Sequence, residues 1–186
     1  MTEKDQREEK HAARPGDRRT KKRRGRAGKA LLLILRLALI AALVWLTLHF
    51  VLGVTLVHSN DMYPAVRDGD LLITYKLRPY SYGELIAYEH EGRRHVGRIV
   101  ALPGDVVEID GEGSCRVNGG VPYETVYYKT KLPETSPILY PYTVPEDGLF
   151  VLNDMRESMT DSRSFGAIAE TDAQGSAALL LRRRSW

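Results

Sequence analysis

Residues 96 to 109 read VGRIVALPGDVVEI, and this stretch indicates the fold most clearly. Val96 to Leu102 is a short apolar run, and Val106 to Ile109 is a second one. The turn Pro103-Gly104-Asp105 separates them, because proline and glycine favour backbone angles that end regular elements. Short apolar runs divided by such turns are typical of β-strands. The stretch therefore predicts two neighbouring strands.

The same pattern continues through residues 58–186. The turn signals Asp68-Gly69-Asp70 and Asn118-Gly119-Gly120 divide other short runs, and no sustained helical period appears. We therefore predict a mainly β fold, built as an antiparallel sheet or closed barrel. The remaining predicted strands are Leu71–Tyr75, Leu85–Tyr88, Cys115–Val117, Leu149–Leu152, Phe165–Ala169 and Ala177–Leu181.

A long apolar segment precedes the β region. Leu37 to Val57 carries no Lys, Arg, Asp or Glu and meets the roughly 20 residues that cross a bilayer core. We predict a transmembrane helix over residues 30–57. A cleaved signal peptide is the alternative, but the run exceeds the usual length of about 7 to 15 residues and no small-x-small cleavage site follows it.

Charge divides the chain at this segment. Residues 1–29 hold twelve Lys or Arg against five Asp or Glu, whereas residues 58–186 hold fourteen against nineteen. The positive-inside rule therefore places the N-terminus in the cytoplasm and the β region outside, with one pass through the cell membrane. Residues 1–29 are too polar to form a core and are predicted to be disordered. Beside a membrane segment, the run KKRRGR favours contact with anionic lipids over nucleic acid.

The segment Pro122 to Pro145 differs from the rest of the β region. It contains five Pro and five Tyr, and proline disrupts central strands. The segment is either a binding surface or a loop packed by its own aromatic side chains. Cys115 stands alone in the sequence, so no disulfide can form within the chain, and we expect a small buried side chain.

Four stretches resemble the motifs of the type I signal peptidases, membrane-anchored serine proteases that trim exported proteins. They are SNDMYPAVRDGD at 59–70, GRIVALPGD at 97–105, VNGGVPYE at 117–124 and NDMRESMTDSRSFG at 153–166. The resemblance implies a β fold with a groove near the outer membrane leaflet, no cofactor and no metal ion. The positions that keep the family's residues are Met62, Pro64, Gly69, Asp70, Arg98, Pro103, Gly104, Asp105, Asp154, Arg156, Asp161, Ser162 and Arg163.

The two reacting groups of the family are replaced. Such proteases use a Ser hydroxyl as nucleophile and a neutral Lys amine as base. By the resemblance, Asp61 stands at the Ser position and Gly97 at the Lys position. A carboxylate attacks an amide poorly, and glycine carries no base. Loss of the Lys side chain is expected to leave room beside Asp61 for backbone or a ligand.

Nearby residues do not restore the reaction. Ser59 would share a face with Asp61 but lie about 6 to 7 Å away, and a surface role is expected for Lys76. Three more motif positions have changed, to Asn153, Met155 and Met159. The resemblance also implies that Arg98 and Arg163 pair with carboxylates such as Asp154 and Asp161, which orients loops.

Two functions follow as expectations. The first is a non-enzymatic relative that binds exported or pilin-like polypeptide, acting as chaperone or scaffold with a sortase in pilus assembly of Gram-positive bacteria. The Asp61 and Gly97 replacements resemble that group. The alternative is an active type I signal peptidase with relocated groups.

Overall fold

The structure, a computed structural model, describes residues 17–122, 128–134 and 136–182, with side chains from residue 28 onward. The chain divides into two compact units between Leu46 and Thr47. The elements are α1 Asp17–Phe50, β1 Leu52–Leu56, β2 Leu71–Tyr75, β3 Leu85–His90, β4 Arg93–Ala101, β5 Val106–Ile109, β6 Cys115–Val117, β7 Tyr142–Thr143, β8 Gly148–Leu152, α2 Ser162–Phe165, β9 Ile168–Ala169 and β10 Ala173–Leu181.

The helix α1 contains the apolar segment. Gly28–Phe50 has 23 residues, a mean hydropathy of 2.6 and no buried part, so it is long and apolar enough to cross a membrane. The helix begins at Asp17, and residues 17–29 of the tail predicted to be disordered are therefore helical. Lys and Arg favour helices, and extending an existing helix costs little. Residues 1–16 lie outside the described residues.

The predicted helix over residues 30–57 is wrong at its C-terminal end. The helix stops at Phe50, and Leu52–Leu56 forms β1, which pairs antiparallel with β2. Gly53 lowers helical propensity there, and the branched Val54 and Thr55 suit a strand. The β region therefore begins before residue 58.

Most strands form one antiparallel sheet, which confirms the predicted mainly β fold. Its order is β1-β2-β10-β3-β4-β8-β9, while β6-β5-β7 forms a smaller sheet. Among the described strands, β1 pairs only with β2, so one of its edges has no strand partner there. Strand β4 pairs with β3 over Arg93–Arg98 and with β8 from Arg98 onward, so residues 93–97 also have one edge without a described strand partner.

The predicted strand Phe165–Ala169 is partly wrong. Phe165 ends α2, and only Ile168–Ala169 forms a strand. The Asp161 side chain caps α2 by accepting from the Arg163 backbone N–H, and Gly166 ends it with a φ of 86°. Strand β7 lies inside the segment Pro122 to Pro145, for which no strand is predicted. Residues 123–127 and 135 of that segment lie outside the described residues.

Candidate functional site

A groove of about 650 Å³ lies where the free edges of β1 and β4 come together. One wall is formed by residues from Thr55 to Asp61, and the other by residues from Arg93 to Val96. The Arg94 guanidinium crosses between the walls and donates to the Val54 carbonyl at 3.3 Å. The groove is lined by Thr55, Leu56, Val57, His58, Ser59, Asp61, Arg93, Arg94, His95, Val96 and Thr160.

Main-chain groups of β1 face this groove. Val57 bonds on the β2 side, since its N–H donates to Asp70 O and its carbonyl accepts from Gly69 N, both at 2.9 Å. Successive residues of a strand turn their N–H and C=O groups to opposite edges. The N–H of Leu56 is therefore turned to the groove, as the carbonyl of Val54 is.

Asp61 lies partly exposed in the wall of the groove. Its backbone carbonyl accepts from Met155 N at 2.8 Å, and the next residue, Met62, is buried and accepts from Asp154 N through its sulfur at 3.4 Å. The Tyr63–Pro64 peptide that follows is cis. The first motif is therefore attached to the fourth, and this attachment sets the position of Asp61.

Gly97 lies in β4, opposite Ile86 of β3. A Cβ at residue 97 would lie 3.2 Å from Tyr88 Cε1 and 3.3 Å from Val151 Cβ, tighter than about nine in ten real Cβ contacts. The expected open space is therefore not found at this point of β4. A side chain at residue 97 would require Tyr88 or Val151 to shift by a few tenths of an ångström.

Tyr88 is fully buried, and among the described residues its hydroxyl has no hydrogen-bond partner. Burial raises the pKa of this phenol, and the negative charges of Asp161 and Asp61 raise it further. His95 stacks on the ring, with centroids 5.5 Å apart. At neutral pH, Tyr88 is therefore a neutral, apolar-packed side chain that supplies no base.

Two arginine–carboxylate pairs support the fourth motif, in the pairing that the resemblance implies. Arg98 donates to both Asp154 oxygens, at 2.7 and 2.6 Å, and to the Gly83 carbonyl. Arg163 and Asp161 are fully buried and joined by two bonds of 2.9 and 2.7 Å. Bidentate pairs of this kind fix orientation as well as adding energy.

The other retained motif residues stabilise turns. Asp105 accepts from Leu102 N at 2.7 Å and from Asn118 Nδ2 at 2.7 Å, which joins the second motif to the third. Asp70 accepts from Arg67 N at 3.0 Å. Glycines with positive φ lie next to both carboxylates: Gly69, with φ 82°, and Gly104, with φ 81°, which follows Pro103. Separately, the Ser162 hydroxyl accepts from Val151 N at 2.9 Å and stabilises β8.

The segment Pro122 to Pro145 is attached to the same motif. Arg156 donates to Thr130 Oγ1 at 2.5 Å, and Arg163 donates to the Lys131 carbonyl at 2.7 Å. The Ser136 hydroxyl donates to the Arg163 carbonyl at 3.0 Å. Arg156 and Arg163 of the fourth motif therefore hold the segment Pro122 to Pro145 in place.

Hydroxyls and imidazoles share the groove but do not form a nucleophile and base. Ser59, Thr160, His58 and His95 all line it. In the part of the chain that the structure describes, no hydroxyl of the groove hydrogen-bonds an imidazole or an amine. Lys76 donates to the His49 carbonyl at 2.9 Å and does not line the groove.

Sequence reasoning missed Tyr88 and the cationic residues of the groove. The dipeptide Glu91-Gly92 is the sequence signal that could have predicted their positions. Both residues have positive φ and form a two-residue hairpin turn between β3 and β4. That turn sets His90 opposite Arg93, and therefore Tyr88 opposite His95.

Comparisons with known proteins identify the family of the chain. Residues 30–181 match the family model "Signal peptidase, peptidase S26". "Probable signal peptidase I-1" of Synechocystis is 27% identical over 158 residues, which cover 77% of each chain. "Inactive signal peptidase IA" of Staphylococcus aureus is 26% identical over 155 residues, 78% of this chain and 88% of that protein.

Among solved structures, a signal peptidase I from Enterococcus faecalis V583 is 26% identical in sequence. It covers 53% of this chain and 97% of its own, with a TM-score of 0.43. The family model covers most of the residues from the apolar helix to the last strand. The chain belongs to the signal peptidase family, peptidase S26.

Proposed function

We propose that this chain is a catalytically inactive signal peptidase relative that holds extended polypeptide in its groove. The observation that carries the proposal is the contact between Tyr88 and Gly97, where a Cβ would lie 3.2 Å from the ring. The family places its general base at this residue, and here a neutral phenol ring occupies the space. With Asp61 at the nucleophile position, neither reacting group is supplied.

The energetics of such sites support the proposal. Binding and oxyanion contacts alone leave roughly 10³- to 10⁴-fold acceleration when nucleophile and base are absent, against 10⁶-fold or more for working enzymes. Asp61 is a poor nucleophile toward an amide. The chemistry that remains is recognition of a polypeptide.

The two strand edges support binding of an extended segment. Leu56 N–H and Val54 C=O on one wall, and the free edge of residues 93–97 on the other, offer main-chain partners to an added strand. Strand addition obtains affinity from such bonds and specificity from the flanking side chains. The Arg94 contact to Val54 would open when a strand enters.

The cellular setting belongs to the same proposal. The helix Gly28–Phe50 would anchor the protein in the cell membrane, with the N-terminus in the cytoplasm and the β region outside. The replacements at Asp61 and Gly97 favour a chaperone or scaffold role with exported or pilin-like polypeptide and a sortase. A relative named "Inactive signal peptidase IA" supports the loss of activity. Coding regions for pilins and sortases beside this one would support the pilus role, and their absence would count against it.

A single preparation tests binding and cleavage together. The full chain in lipid nanodiscs is mixed with a labelled precursor that carries a small-x-small site, and both cleavage and bound fraction are measured. We expect binding without cleavage. Leu56→Pro should weaken binding, because proline removes a donor that faces the groove while leaving the bonds to β2 intact.

Leu56→Ala is the matched control, since it shortens the same side chain and keeps the N–H. Cleavage at the expected bond would establish the alternative, an active type I signal peptidase. Equal binding by the Pro and Ala variants would show that the polypeptide does not pair with β1.

A further inference from the structure

Side chains of opposite charge line the groove. Arg93 and Arg94 lie on the β4 wall, both exposed, and neither has a carboxylate partner among the described residues. Asp61 lies where the groove reaches Tyr88. In the part of the chain that the structure describes, no Lys, Arg or His lies within ion-pairing distance of Asp61.

A ligand can supply a cation that pairs with Asp61. Residue 97 has no side chain, and Tyr88 and Val151 lie 3.2 and 3.3 Å from where its Cβ would be. Asp61 is partly exposed and lines the groove, so a ligand that enters the groove can reach it. Partly desolvated charges without a partner attract an opposite charge more strongly than fully hydrated ones.

Side chains of neighbouring strand residues turn to opposite faces, so Arg93 shares a face of β4 with His95 and Gly97, whereas Arg94 lies on the other face. A ligand strand lying along β4 alternates in the same way, so two of its side chains that face the same wall are two or four residues apart. The order of the two charges along the ligand depends on its direction.

We propose that the groove selects extended polypeptides with a lysine or arginine facing Asp61 and an aspartate or glutamate two or four residues away, facing the β4 wall at Arg93 and Arg94. This inference rests on the proposed function, because it requires a polypeptide in the groove. It makes Asp61 a specificity residue and not a remnant of a nucleophile. Opposite charges on the two partners fix register and exclude like-charged segments.

The probes are labelled twelve-residue peptides that share one neutral, Thr- and Val-rich frame. They carry Lys and Glu two or four residues apart in either order, two Lys, two Glu, or no charge. The full chain is held in nanodiscs of zwitterionic lipid at low ionic strength, and peptide binding is measured by fluorescence anisotropy. Asp61→Asn and the double variant Arg93→Gln with Arg94→Gln are compared with Asp68→Asn and Arg116→Gln, which change exposed residues outside the groove.

One order of Lys and Glu should bind on the order of fivefold tighter than the neutral peptide, and the reverse order and the like-charged peptides should not. Asp61→Asn should remove the gain from Lys, and the arginine variant should remove the gain from Glu. Each control should leave the gains unchanged.

If all peptides bind equally and Leu56→Pro still weakens their binding, this inference is overturned and the proposed function remains intact. Equal gains from both orders would also overturn it, because the charges would then not be read by position. If no peptide binds and Leu56→Pro changes nothing, the proposed function itself fails.

Discussion

The Tyr88 ring lies directly against Gly97, so that a Cβ on residue 97 would be 3.2 Å from Cε1 of the ring. Both residues face the same side of the β3–β4 pair, with Gly97 opposite Ile86 and Tyr88 opposite His95. The large, buried Tyr88 side chain therefore packs where residue 97 has no side chain. A side chain at residue 97 would therefore compete with core packing.

Restoring the nucleophile and base alone should not restore cleavage. In Asp61→Ser with Gly97→Lys, the new side chain meets Tyr88 and Val151, and such overpacking costs about 1 to 3 kcal/mol. Adding Tyr88→Ala should make room and give detectable cleavage of a precursor with a small-x-small site. The measurement is product formation by the double and triple variants at equal concentration.

Asp61→Ala with Gly97→Lys and Tyr88→Ala is the control for this test, because it has the base and the space but no hydroxyl. It should remain inactive. Cleavage by the double variant would contradict the claim that Tyr88 blocks the base position.

Tyr88→Phe should stabilise the protein. The Tyr88 hydroxyl is buried without a partner among the described residues, and a buried polar group left unpaired costs about 1 to 3 kcal/mol. Phenylalanine keeps the ring that packs on Gly97 and removes the unpaired group. A rise in the melting temperature in detergent checks this, and Tyr128→Phe, at an exposed residue, is the control.

The same variant should change the alkaline stability. Burial raises the pKa of Tyr88 above its unfolded value of about 10, so the folded state keeps a proton that the unfolded state loses. The contribution of Tyr88 to stability is therefore complete below pH 10 and is lost as pH rises beyond it. Tyr88→Phe should lose less stability between about pH 10 and 11 than the parent protein. Identical losses would show that the phenol titrates normally.

Much of the β architecture was predictable from local sequence. The turns at Gly69, Gly104 and Asn118 divide the chain where the structure does, because they require backbone angles that few other residues adopt. Strand β1 was not predictable in the same way. Its apolar residues continue the membrane segment without a break, and only pairing with β2 separates the two.

The motif resemblance predicts which residues stand at the reacting positions but not what packs beside them. By that resemblance, Asp61 stands at the nucleophile position and Gly97 at the base position, because each motif position can be compared on its own. The presence of Tyr88 beside Gly97 depends on the register between β3 and β4, which is a relation between two strands. The charges of Arg93 and Arg94 enter the groove for the same reason.

The buried pair Asp161–Arg163 should matter far more to stability than the pair Asp70–Arg182, whose arginine is exposed. Asp161 binds the Arg163 guanidinium, caps α2 and accepts from Asn153 N at 3.0 Å. Removing one partner of a buried pair typically costs about 3 to 5 kcal/mol. Asp161→Ala should therefore lower the melting temperature strongly.

Arg182→Ala is the contrasting variant. Its side chain is 45% exposed and 3.4 Å from Asp70, and exposed pairs contribute about 0 to 1 kcal/mol. Denaturant unfolding of both variants gives the comparison. If the two variants lose similar amounts of unfolding free energy, the buried pair does not stabilise the fourth motif.

His95 should make stability fall on mild acidification. Burial lowers the pKa of this imidazole, and the neighbouring His90 lowers it further, so the unfolded state takes up a proton first. The stability that His95 contributes is complete above its unfolded pKa of about 6.5 and is lost as pH falls through the lower folded value. Melting temperatures between pH 7.5 and about pH 5 should therefore decline less in His95→Gln than in the parent. An unchanged slope in His95→Gln would mean that the His95 imidazole takes up its proton equally in the folded and unfolded protein, which would contradict the lowered pKa.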